Sequence, residues 1–176
     1  MSESAEWPEA NKWSEASLIA FGRVIRAWAN FEFGLVFCLG HLLGIDQFRA
    51  RIVWATMPNF QNRKTLLKRL VATFGDETSV KSFSSYMERA KGLSQKRNLV
   101  CHAIGWAEQE NFVVFTKDNE REDLGFEFLS TTKLSISNVN GIADAIQKLT
   151  SDIVNWTPSV VVYTAAKIHR NSPDEA

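Results

Sequence analysis

Only two of the 176 residues are cysteine, Cys38 and Cys101. Two thiols make no disulfide framework, and a reducing compartment suits them. An excess charge of either sign is also missing: twenty Lys and Arg balance twenty Asp and Glu, and the isoelectric point is near 6.8. A neutral chain has no overall pull on nucleic acid, so any such attraction has to be local. There is no long apolar run. The stretch around Leu35 to Ile45 is interrupted by Gly34, Gly40, His41 and Gly44, too short and broken to span a bilayer. Met1 to Glu9 is acidic and lacks the basic start and apolar centre of a secretory signal. The expected location is the cytoplasm, with no membrane partner. No Walker-type or dinucleotide-type glycine loop occurs. Cys38-x2-His41 offers two metal ligands at helical spacing, but no second pair completes a zinc site. Neither a metal nor a cofactor is expected.

What is present is core material. The chain is 45% hydrophobic, with twelve Phe and six Trp, enough for one domain with a real core. The expected fold is mainly α, a helical bundle of four to five helices with a small β-hairpin or three-stranded sheet inserted before the last long helix. The domain is expected over residues 14–170, with flexible ends at 1–13 and 171–176.

Leu18, Phe21, Val24, Ile25, Trp28, Phe31, Leu35, Cys38, Leu39 and Leu42 recur at steps of three and four, predicting a first helix from Ser14 with this stripe inward. Gly44 closes it and Asp46 caps a second helix over Gln47–Thr56. Met57-Pro58-Asn59 breaks the pattern, and a third helix covers Gln61–Phe74 before Gly75. Thr78 or Ser79 is the expected cap of a fourth, whose stripe is Val80, Phe83, Met87 and Ala90. Continued by the same steps, that stripe reaches Ser94, Arg97 and Cys101, so a core face turns polar. Ile104 to Trp106 and Phe112 to Phe115 flank a turn at Glu108 to Asn111, and Gly125 to Leu129 is a candidate third strand. The last major helix starts at Ser137-Asn138 and runs to Trp156. Pro158 and Val160 to Val162 leave the following tail open between helix and strand.

The polar end of the fourth helix carries Arg97-Asn98-Leu99-Val100-Cys101-His102. An arginine holds a phosphate bidentately and keeps its proton. A histidine gives or takes a proton near neutral pH. Together they are the minimum equipment for cutting RNA without a metal. Residues five apart on a straight helix lie about 140° from each other, so Arg97 and His102 do not share a face. Asn98 and His102, four apart, do share one, and Asn98 can orient the imidazole or bind the substrate. Arg97 then has to reach around, the helix has to unwind near Ala103, or a second chain has to supply half of the site.

This run resembles the Arg-x4–6-His signature, with a polar residue directly after the arginine, of the HEPN domains (higher eukaryotes and prokaryotes nucleotide-binding). The Trp28-Ala29-Asn30-Phe31-Glu32 stretch is similar to the first helix of some members. The resemblance implies a helical, often dimeric domain with the motif at the end of a late helix. In HEPN ribonucleases the two motifs commonly lie close together across the dimer interface. It further implies a metal-independent endoribonuclease, possible roles as a toxin or phage-defence effector, RNA as substrate, a homodimer, and an antitoxin protein as a further partner. Arg97, Asn98 and His102 are the expected catalytic residues, with Glu32 as possible support. The alternative is a HEPN-like module without chemistry that dimerises or binds a partner or a nucleotide.

Each of these residues also has an ordinary role. His102 can simply serve the helix dipole, Arg97 and Asn98 can be solvated, and Glu32, which could salt-bridge Arg97 or line the cleft, can instead form a structural ion pair. Arg63, Lys64, Lys68, Lys91 and Lys96 are expected to hold the RNA backbone, together with Arg69, Lys81 and Arg89, or else to line solvated helix faces. Asp118, Glu120, Glu122 and Asp123 gather downstream and divide the neutral chain electrically. Trp106 and Phe112 could stack a base or pack against the helices.

Overall fold

The computed structural model describes residues 13–101, 107–108, 111–117 and 129–171. Among them the chain is mainly α, with five helices: α1 (Glu15–Leu43), α2 (Gln47–Thr56), α3 (Phe60–Phe74), α4 (Glu77–Cys101) and α5 (Ile136–Asn171). Three strands, β1 (Ala107–Glu108), β2 (Asn111–Lys117) and β3 (Leu129–Ser135), form an antiparallel sheet in the order β1-β2-β3. Its register pairs Ala107 with Phe112 and Phe112 with Leu134. Ile104 to Trp106, Gly125 to Phe128 and the acidic Asp118 to Asp123 lie outside the described residues. Among the described residues no single helix is long and apolar enough to cross a membrane.

Helix ends follow local chemistry. Gly44 stands at φ +64, where a side chain would be strained, and closes α1. There the Gly44 N–H donates to His41 and the Ile45 N–H to Gly40, satisfying two of the last carbonyls. Asp46 accepts from the Arg49 N–H at 3.0 Å and opens α2. Asn59 does the same for α3 through the Asn62 N–H at 2.9 Å, so that helix starts one residue earlier than the periodicity suggested. At α4 neither Thr78 nor Ser79 is the cap. Asp76 is, accepting from the Ser79 N–H at 2.7 Å, and the Ser79 hydroxyl and N–H hold its carboxyl below the ordinary value. Ser135 opens α5 by reciprocal bonds with Asn138. The open question of the tail resolves as helix: α5 continues through Pro158. Proline cannot donate to Val154, but Thr157 and Val160 are buried, and the Thr157 hydroxyl donates to the Ile153 carbonyl at 2.8 Å.

The residues group into two compact units, Met1–Ala27 with Leu93–Ala145 and Trp28–Gly92 with Ile146–Ala176. In the first, Val24, Val100, Val139 and Ile142 are buried, and Arg23 on α1 donates to Asn140 and Asp144 on α5 at 2.6 and 2.7 Å. In the second, Phe31, Leu35, Leu67, Phe83, Met87, Leu149 and Ile153 are buried. There Arg89 pairs with Asp152 at 2.7 Å, and Phe83 stacks on Trp156.

The predicted stripe of α1 needs one correction. Leu18 and Ile25 are 58% and 54% exposed. They lie roughly 100–125° around the helix from the mean of Val24, Phe31 and Leu35, so they form a second apolar strip facing outward.

Candidate active site at the end of the fourth helix

Phe83, Met87 and Ala90 anchor α4, and beyond them Ser94, Arg97 and Cys101 are half-buried on the same face. The change from core to polar face therefore falls where the residue pattern put it. Val100, almost wholly buried, pins the last turn. Within that turn Arg97 is half-buried, with its Nε shut off from solvent, while Asn98 stands in water beside it. His102 lies outside the described residues, as does Ala103, where unwinding is one of the three ways to bring the two groups together.

On a different face of the same stretch of α4, within the same unit, α4, β3 and α5 line a groove of about 450 Å³ that neither Arg97 nor Asn98 enters. Its walls include Leu93 and Leu99 of α4, Leu134 of β3 and Ile142 of α5, and its polar groups are Lys96 and Asn138. Among the described lining residues there is one cation and no acid. A Cβ built on Gly141, also in the lining, meets nothing within 4 Å, so the space is open. Sequence reasoning offered no such groove. Of its α4 wall only Lys96 stands out in the sequence, and the far wall comes from residues some forty positions further along the chain.

The remaining expected residues divide. Glu32 is half-buried and pairs with Arg63 at 3.6 Å, both within the second unit. Arg63 also lies over the Trp54 ring at 5.1 Å, so its charge ties α1, α2 and α3 together. Lys64 is half-buried, while Lys68, Lys91 and Lys96 are exposed. Lys96 shares a unit with the motif; Lys64, Lys68 and Lys91 belong to the other. Lys81 pairs with Glu77 along α4.

Cys38 is buried, and burial pushes its thiol up to about 11 despite a hydrogen bond with the Thr157 side chain. His41 holds the Phe37 carbonyl through Nδ1 at 3.1 Å. No group of three or more metal-ligating side chains occurs among the described residues. Trp106 lies outside them, and Phe112 is placed only as a strand residue of β2. No protein-family model, curated protein or solved structure matches this chain.

Proposed function

We propose that this chain is a metal-independent endoribonuclease of the HEPN type. The observation that carries the reading is the last turn of α4, where Arg97 is held half-buried next to a water-facing Asn98. Lys96, exposed on the same helix end and lining the groove between α4 and α5, adds a cation near the motif in the chain.

In this reading the ribose 2′-oxygen attacks the adjacent phosphorus and the bond from phosphorus to the 5′-oxygen breaks. One imidazole takes the 2′-hydroxyl proton, and a proton is returned to the leaving 5′-oxygen. His102 serves as base or acid, and Arg97 neutralises the charge that grows on the phosphoryl oxygens. Asn98 orients one or the other. The products are a 2′,3′-cyclic phosphate and a 5′-hydroxyl, and DNA is spared because it lacks the nucleophile. A second copy of the chain supplies the imidazole that a straight helix turns away from its own Arg97. A toxin or phage-defence role, held in check by an antitoxin protein, is the biological form of such an activity.

Labelled RNA incubated with purified protein and a chelator tests the chemistry. Arg97→Ala and His102→Ala should each slow cleavage by roughly 10²–10⁴-fold, the usual worth of a positioned proton-transfer group. Full activity in either variant, with contaminating nuclease excluded, refutes the mechanism. The second reading, a binding module without chemistry, is favoured by the outward strip of Leu18 and Ile25. It predicts intact RNA in the same assay.

A further inference from the structure

From Gln47 to Gly75 the chain contains no Asp or Glu, although it carries Arg49, Arg51, Arg63, Lys64, Lys68 and Arg69. In a chain of zero net charge this is a strongly one-sided segment, and it folds as one structural piece, the pair α2 and α3 joined by Met57-Pro58-Asn59. Two of its cations are occupied: Arg63 by Glu32 and Trp54, and Arg49 by its own cap Asp46 at 3.3 Å. Arg51, Lys64, Lys68 and Arg69 enter no ion pair among the described residues.

Between the two helices lies a second groove of about 430 Å³. Val53 and Leu66 give it apolar walls, and Thr56, Asn62, Thr65 and Arg69 give it polar groups. On the same helix pair Phe48 is 74% exposed, with Ile52, four residues on, exposed as well. An open aromatic side chain among unpaired cations is the composition that binds a strand by stacking its bases and neutralising its phosphates.

We propose that the α2–α3 pair is a docking surface for single-stranded RNA, additional to the motif on α4. Phosphates meet Arg51, Lys68 and Arg69, a base stacks on Phe48, and the strand runs along Ile52 and Thr56, four and eight residues on from Phe48, into the groove that Thr56 and Leu66 line. That the polymer is RNA rests on the nuclease reading. A groove with a polar rim fits a strand better than a flat lipid surface does.

The test uses a fluorescent mixed-sequence RNA made uncleavable by 2′-O-methyl groups, with binding read by anisotropy over a range of potassium chloride. Arg51→Gln with Arg69→Gln should weaken binding about tenfold or more and lower the slope of log affinity against log salt by about 1.4, near 0.7 per phosphate contact on a single strand. Phe48→Ala should weaken binding on the order of tenfold by loss of stacking. All three side chains are exposed, so the melting temperature should stay put. Unchanged affinity and slope in these variants overturn the proposal. So does binding to phosphatidylserine vesicles that depends on the same residues while RNA is ignored. Cleavage of ordinary RNA alongside unchanged variant binding refutes the surface and spares the nuclease reading. Binding that tracks these residues, with no cleavage, spares the surface and refutes the nuclease.

Discussion

At the scale of single residues, Cys38 shows how burial decides chemistry. Its neutral thiol is fully enclosed, and its proton is held to about 11 against an ordinary 9.0. The folded chain therefore keeps a proton that the unfolded chain gives up. The resulting stability is complete below pH 9.0 and is lost as pH climbs towards 11. Chemical denaturation across that alkaline range should show a falling midpoint, and Cys38→Ala should flatten the fall. Asp46 and Asp76 run the other way. Hydrogen bonds, led by the Arg49 N–H at Asp46 and by the Ser79 hydroxyl at Asp76, hold both carboxyls below 3.8. Their contribution is present above that pH and lost as pH falls through the depressed values. Asp46→Asn with Asp76→Asn should keep the caps and flatten the acid limb of the same stability profile.

At the scale of elements, glycines in two helices make a measurable contrast. On α5 a Cβ at Gly141 meets nothing, so Gly141→Ala should stabilise the fold by about 1 kcal/mol through helix propensity alone. On α1 a Cβ at Gly40 would sit 3.1 Å from the Ile45 carbonyl oxygen, in the turn that closes the helix. Gly40→Ala should therefore destabilise, and urea midpoints for the two variants should move in opposite directions. Elements were also the most legible level in the sequence. Gly44, Asp46 and Asn59 act on neighbours within five positions, so their effects are written locally. Leu18 and Ile25 were misread because periodicity finds apolar strips without telling which one meets a core. The pairing of Arg63 was not legible because its partners, Glu32 and Trp54, come from two other helices. The groove at Lys96 was invisible for the same reason: β3 and α5 bring its far wall to α4.

At the scale of the whole molecule, the nuclease reading proposed above draws each site from two chains, because residues five apart on a straight helix face different ways. A symmetric dimer in which one copy supplies the arginine and the other the histidine makes a clear prediction. Arg97→Ala and His102→Ala proteins, each inactive alone, should regain cleavage when mixed, because each mixed pair holds one site with both groups. Mixtures that stay inactive despite demonstrated subunit exchange refute shared sites. The net charge of zero matters at this scale too, since affinity for RNA then depends on where the cations stand rather than on how many there are.

The last turn of α4 ends on Cys101, half-buried and immediately before His102. The other sulfhydryl, Cys38, is sealed inside. The unaltered chain thus carries one addressable labelling point adjoining its motif. A maleimide dye attached there would turn arrival and departure of a strand into a fluorescence trace, allowing residence times to be timed on wild-type protein.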